Sequence, residues 1–230
     1  MESLVAIAQR LFPDRHPASK GDDYYARYEA FLAPFRGKQP TVFEVGVFEG
    51  HSTKIFASYF RDGKLIGIDS DVKPIDFTDY PNVIVRQGDQ SDGQFLAQVA
   101  GEHAPEGIDI VIDDASHVGY LSLKTFEHLF PRARSRGVYI VEDWGTGYWN
   151  DRPDGGAYQN NTSSPYHGQF PKRIISHDFG MVGFVKHLVD QVGMFDIRPT
   201  HQSFAGVHRK HAHFPWDCRD SATLRLKWSD

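Results

Sequence analysis

The sequence predicts an α/β protein: a Rossmann-like, doubly wound sheet of seven strands, mostly parallel with a closing antiparallel strand, and helices on both faces. Three observations predict it. Short apolar runs alternate with segments of helical period from residue 41 to residue 141, the pattern of strand–helix–strand units that build a parallel sheet. Carboxylates arrive repeatedly where an apolar run stops, as in Ile112-Asp113-Asp114 and Val141-Glu142-Asp143. The rhythm then breaks over residues 144–178 and resumes with one more helix and a closing pair of strands.

The elements follow in order. Residues 2–12 and 22–36 read as helices, the second with Tyr24, Tyr25, Tyr28, Phe31 and Leu32 at helical spacing; that tyrosine stripe reads as core packing. Residues 1–38 are expected to cap the site, and residues 39–215 to form the main domain. The strands are Thr41–Gly46, Lys64–Ile68 ending at Asp69, Asn82–Val85 leading to Gly88-Asp89-Gln90, Ile108–Ile112, and Gly137–Val141. Ser91 is the expected cap of a helix over about 92–100, and Pro131 stops the helix that carries Leu121, Phe126 and Leu129. Residues 144–178 are rich in Gly, Pro, Asn and aromatics, without usable periodicity. A long irregular loop in a compact domain is a lid or a disordered segment, and Trp144, Tyr148, Trp149 and Tyr158 favour an ordered lid, because disordered tracts are poor in aromatics. After it come a helix over 179–192, expected strands at Met194–Arg198 and Gln202–Lys210, and a tail at 216–230.

Bulk properties narrow the function. A chain of 230 residues can bury a full core as one domain. Its net charge of -5 argues against a nucleic-acid or anionic-membrane partner and leaves room for a cationic ligand. The single cysteine, Cys218, allows no disulfide within the chain and fits a reducing compartment. No apolar run approaches the roughly 20 residues that span a bilayer, and the opening MESLVAIAQRLFPDRHPASK is not a secretory signal. The expectation is a cytoplasmic protein.

The strand ends carry the chemistry. Glu44-Val45-Gly46-Val47-Phe48-Glu49-Gly50 is a strand–helix turn in which Gly46 permits a tight turn and close approach of a ligand, and Gly50 opens a helix whose amides favour a negative group. Phe48 stands where the dinucleotide fingerprint has its second glycine, which counts against a nicotinamide dehydrogenase. Asp69, about 20 residues past the turn, suits a ribose diol. With Asp89 at the end of the third strand, these acids describe a nucleoside pocket. If the fourth and fifth strands are neighbours, roughly 4.8 Å apart, then Asp113, Asp114, Glu142 and Asp143 come within range of one ion. A hard divalent cation relieves their repulsion, and oxygen ligands favour magnesium or calcium over zinc. His117 can serve as a base beside it. His201, His208, His211 and His213 fall in no zinc pattern, while His167 and His177 lie in or beside the lid, within reach of a substrate.

These motifs, taken as Glu44-x-Gly46-x-x-x-Gly50, Gly67-Ile68-Asp69, Gly88-Asp89-Gln90, Ile112-Asp113-Asp114-Ala115-Ser116-His117 and Val141-Glu142-Asp143, resemble class I S-adenosylmethionine-dependent methyltransferases. Within them the chain resembles the macrocin and mycinamicin sugar O-methyltransferases and the related cephalosporin hydroxylase family, over residues 40–143 and more loosely to 210. The resemblance implies magnesium held by Asp114, Glu142 and Asp143, with His117 as the base. It implies an S-adenosylmethionine pocket of Glu44, Gly46, Gly50, Ser52, Thr53, Asp69, Asp89 and Gln90, with Asp113 facing either the ion or the cofactor's amino group. Longer members of the family carry an N-terminal auxiliary domain, and this chain has room only for the catalytic one.

The implied activity is methyl transfer from S-adenosylmethionine to a hydroxyl of a sugar or other polyhydroxylated small molecule, in natural-product biosynthesis of the macrolide type. The partner expected is a hydroxylated, glycosylated acceptor rather than nucleic acid or membrane, and a homo-oligomer is compatible with the resemblance. The alternative is an accessory protein that keeps the fold and supports a partner enzyme such as a hydroxylase. Intact Asp114, His117, Glu142 and Asp143 count against it, since a scaffold has no use for a complete metal site.

Overall fold

The computed structural model describes residues 1–14, 20–161, 177–195 and 224–227. Five parallel strands form the body of one sheet: β1 (Thr41–Val45), β2 (Lys64–Asp69), β3 (Val83–Gln87), β4 (Ile108–Asp113) and β5 (Ala133–Val141). A short β6 (Leu224–Lys227) pairs antiparallel with β5, and the order across the sheet is β3-β2-β1-β4-β5-β6. Between the strands run α3 (His51–Tyr59), α4 (Gly93–His103) and α5 (Gly119–Leu129). Ahead of β1 lie α1 (Leu4–Leu11) and α2 (Asp22–Leu32), and after β5 come α6 (Pro153–Asn161) and α7 (Gly180–Phe195). None of the described helices is long and apolar enough to cross a membrane.

The strand runs are apolar because both faces of the sheet are covered. Successive strand side chains point to opposite faces, and the two faces bury different clusters. Phe43, Val45, Ile66, Val111, Tyr139 and Val141 pack with Leu96 of α4, Leu129 of α5 and Phe184 and Leu188 of α7. Val42, Leu65, Ile110, Ile112, Val138 and Ile140 pack with α1, α2 and α3 through Leu4, Tyr28, Leu32, Ile55 and Phe56. Each fully buried side chain of this kind stabilises the fold by about 1.5–3 kcal/mol relative to exposure.

Local chemistry sets the boundaries. The Ser3 side chain accepts from the Ala6 amide at the start of α1. Pro34 and Pro131 sit in single 3-10 turns that end α2 and α5. The cap of α4 is Asp92, whose Oδ1 accepts from the amides of Gln94 and Phe95 at 2.9 and 3.0 Å. Ser91, the residue expected there, instead donates its amide and hydroxyl to Asp89.

Beyond β5 the structure departs from the sequence reading. Residues 144–161 hold a 3-10 turn, Trp144–Tyr148, and then α6. No amphipathic period announces α6; tertiary contact holds it. Asp154 in its first turn is buried and accepts from the amides of Gly119 and Met181, tying α6 to the starts of α5 and α7. Met194 and Phe195 close α7, so the strand expected at Met194–Arg198 does not begin there. The strand expected at Gln202–Lys210, and residues 162–176 of the expected lid with His167, lie outside the described residues. So do His201, His208, His211, His213 and most of the 216–230 tail.

Candidate active site

The sheet order turns at β1 and β4: the chain builds outward from β1 to β3, then returns to add β4 on the other side. In open α/β sheets the crevice at that switch point receives ligands. Here a cleft of about 900 Å3 opens over the carboxyl ends of β1, β2, β4 and β5, with Lys20, Tyr24 and Arg152 in its wall as well.

On the β1–β3 side the turn after β1 is shaped by contact. Gly46 has φ +96°, and a Cβ there would collide with the backbone carbonyl of Asp114. Asp69 holds the same turn: its Oδ2 accepts from the amides of Val47 and Phe48 at 2.9 and 2.8 Å. Glu44 is buried beneath, accepting at 2.6 Å from the hydroxyls of both Ser52 and Thr53. Burial pushes its carboxyl up to about 7, against the pull of those two hydroxyls. Gln90 is buried too, donating to the Thr125 hydroxyl at 3.0 Å and accepting from the Ser116 amide at 3.2 Å.

On the β4–β5 side the ladder itself delivers the acids. The Asp114 amide donates to Val45 and the Glu142 amide to Asp113, each at 2.9 Å. His117 Nε2 lies 3.9 Å from Asp114 Oδ1 and 3.9 Å from Asp143 Oδ2. Ligand atoms of Asp114, His117 and Asp143 all fall within 4.8 Å of one another, a donor set able to hold a metal ion. Two of the three, His117 at φ +53° and Asp143 at φ +50°, adopt backbone conformations that are rare outside glycine. Such strain collects where function demands it.

Glu142 is used differently. It is buried, with Tyr24 donating to its Oε2 at 2.6 Å and Tyr28 donating to its Oε1. Lys20 bridges it to Asp114, with Nζ 3.3 Å from Glu142 Oε2 and in contact with Asp114 Oδ2. Burial opposes the Lys20 charge, but Glu142 and Asp114 outweigh it, so the ammonium is held well above its ordinary range. Burial and Asp114 pull the Glu142 carboxyl up, against Lys20 and both tyrosines. Burial prevails, so the carboxyl is raised, and the three donors aimed at its two oxygens limit the rise.

Of the residues singled out in the sequence, Gly46, Ser52, Asp69, Asp89, Gln90, Asp114, His117, Glu142 and Asp143 line the cleft. Glu44, Gly50, Thr53 and Asp113 stand behind its wall. Gly50 has φ +74° and caps α3 against Ile75 and Phe77. Asp113 is buried on the far side of β4, where burial pushes it up to about 7. His177 is also buried, its ring stacked on Tyr158 with centroids 3.6 Å apart and its Nε2 2.7 Å from the Gly147 carbonyl oxygen. The sequence reading missed Lys20; its reading of the tyrosine stripe as core packing holds for Tyr25 and Tyr28, but it did not foresee that the Tyr24 and Tyr28 hydroxyls reach Glu142. Their spacing of four did place them on one helical face; nothing local said that an acid lay opposite.

Comparison with known proteins gives this arrangement a family context. No protein-family model matches the chain. It is 37% identical over 174 residues to the 8-demethyl-8-alpha-L-rhamnosyl tetracenomycin-C 2'-O-methyltransferase of Streptomyces olivaceus, covering 73% of this chain and 40% of that one. It is 34% identical over 129 residues to the mycinamicin VI 2''-O-methyltransferase of Micromonospora griseorubida, covering 53% and 31%. Among solved structures it matches the MycE methyltransferase from the mycinamycin biosynthetic pathway, in complex with Mg and SAH, with a TM-score of 0.63 at 27% identity, covering 84% of this chain and 49% of that one. The fold is that of the class I S-adenosylmethionine-dependent methyltransferases. The resemblance to sugar O-methyltransferases read from the strand-end motifs is shown with it. The chain spans less than half the length of these relatives. Within this methyltransferase fold, the Asp69 turn and the Asp114–His117–Asp143 group face each other across one cleft.

Proposed function

We propose that this chain carries the catalytic part of a magnesium-dependent O-methyltransferase. It would move the methyl group of S-adenosylmethionine to a hydroxyl of a sugar or polyhydroxylated small molecule in macrolide-type natural-product biosynthesis. The observation that carries the reading is the convergence of Asp114, His117 and Asp143 within 4.8 Å, across the cleft from Asp69. Its two carboxylates, with a third acid beside them, fit a hard divalent cation, and the imidazole stands next to that space. The names of the relatives, which specify sugar positions on tetracenomycin and mycinamicin, support the acceptor class.

Asp114 and Asp143 would hold the ion, with Glu142 joining them. When bound, the ion supplies Lewis-acid charge that makes a neutral hydroxyl a better nucleophile. His117 Nε2, within reach of the same space, would accept the hydroxyl proton as the oxygen attacks the methyl carbon. Asp69 would accept from the ribose hydroxyls, and Gly46 lets the donor lie close to the backbone. Gln90 and the Asp89 turn would border the base. Holding oxygen, methyl and sulfur in line is the protein's main remaining task. We assign residues 1–38 to the capping of this site and 144–178 to its lid, and read the activity as cytoplasmic, with a homo-oligomer compatible.

The test is methyl transfer from labelled S-adenosylmethionine to a panel of glycosylated acceptors, with and without EDTA. Turnover that disappears in EDTA and returns with magnesium supports the reading. Full turnover in EDTA removes the ion from it, and no binding of S-adenosylmethionine by calorimetry removes the whole proposal.

A further inference from the structure

Lys20 stands where a cation is wanted. Its ammonium contacts Asp114 Oδ2 and lies 3.3 Å from Glu142 Oε2, and its side chain is only 18% exposed. Asp114 is thus shared: one oxygen faces Lys20, the other faces His117 at 3.9 Å. Glu142 is shared too, between Lys20 and the hydroxyls of Tyr24 and Tyr28. The lysine therefore occupies the two acids that the ion would otherwise hold.

We propose that Lys20 and a divalent cation exchange on Asp114 and Glu142, so that the ion enters only as the Lys20 ammonium leaves the cleft. The inference rests on the metal reading above. A magnesium ion takes oxygen ligands at about 2.0–2.1 Å in a near-ideal octahedron. On Glu142, whose Oε1 takes the Tyr28 hydroxyl and whose Oε2 takes both Tyr24 and Lys20, no oxygen is left for the ion, and an ammonium kept that close to it adds crowding and like-charge repulsion. The helix behind Lys20 need not move: α2 is anchored by buried Tyr25, Tyr28 and Leu32. Lys20 precedes it, ahead of the Gly21 cap, so a change in that side chain and turn suffices. Lys20 also lines the cleft beside Tyr24. Its return keeps the acids paired when no ion is bound.

An internal competitor weakens apparent cation affinity, because each binding event must first displace it. Magnesium titration by calorimetry should show Lys20→Met binding at least about tenfold tighter than the native chain, with Lys20→Arg close to native. Amine acetylation read by mass spectrometry should find Lys20 protected without magnesium and several-fold more reactive with it. Equal affinity in Lys20→Met, or Lys20 no more reactive with magnesium bound, overturns the exchange and leaves the metal reading standing. No magnesium bound by either protein overturns both. Should Lys20→Met fail to fold, the acetylation of the native chain decides alone.

Discussion

On the β1–β3 side of the cleft Asp69, Glu44 and Asp89 are tied into local structure, whereas on the β4–β5 side Asp114 and Glu142 are held from far away in the sequence. Asp69 accepts from two turn amides, Glu44 from two hydroxyls of α3, and Asp89 from Ser91. These are normal-length hydrogen bonds between residues close in sequence or on adjoining elements. Across the cleft His117 and Asp143 sit at positive φ, and the imidazole stands 3.9 Å from either acid. Charge there is balanced by a residue 94 positions away, Lys20. One wall is set by its own neighbours in the chain; the other is balanced by Lys20, Tyr24 and Tyr28, far away in the sequence. The largest effect that could break this comparison is at His117. His117→Ala should lower methyl transfer roughly 10²–10⁴-fold, while calorimetry finds S-adenosylmethionine affinity unchanged. Equal loss of both would mean that the two walls are one unit.

The same contrast explains what could be read from the sequence. The β1–β3 wall is written locally: Gly46 and Asp69 follow from spacing along a strand–helix unit. The neighbouring of β4 and β5 was also legible, since Asp113 pairs with Val141 and the acids follow directly. Lys20, Tyr24 and Tyr28 reach Glu142 from more than 110 residues away, and no local period encodes such a contact. α6 was missed for the same reason: Asp154 and its amide partners on α5 and α7 hold it, not its own pattern. Gly50 caps α3 and the Thr53 hydroxyl ties α3 to Glu44 of β1, roles that the turn motif alone did not announce.

The next effect is on stability and belongs to Glu44. Its carboxyl moves from an ordinary 4.5 to about 7 on burial. Below pH 4.5 both folded and unfolded chains hold the proton, and burial costs nothing extra in charge. Between that point and about 7 the unfolded chain releases the proton and the folded chain keeps it. Stability therefore falls as pH rises, by about 1.4 kcal/mol per unit at most, and levels off above. Glu44→Gln should flatten that slope in urea unfolding at pH 4.5 and 7.5. Asp113, raised in the same direction, leaves a residual slope. A variant whose slope equals the native one would show that Glu44 is ionised throughout.

Asp69 sharpens the comparison from the binding side. Its carboxylate already organises the turn, and a ribose diol would add acceptor bonds to a charged group, each worth about 1.5–3 kcal/mol. Asp69→Ala should weaken S-adenosylmethionine roughly 10–100-fold in calorimetry and leave magnesium affinity as it was. A loss of magnesium binding instead would place Asp69 in the wrong wall.

The smallest effect tests whether the β1–β3 wall can be loosened without touching function. Asp92 caps α4 through the amides of Gln94 and Phe95 and does not line the cleft. Loss of such a cap costs about 1 kcal/mol, so Asp92→Ala should shift the urea midpoint slightly while turnover and both affinities stay native. If turnover falls with that shift, α4 does more than back the Gly88–Gln90 turn: the β1–β3 wall would then depend on the rigidity of its supporting helix, and Asp89 and Gln90 would be set by α4 rather than by their own hydrogen bonds to Ser91, Thr125 and Ser116.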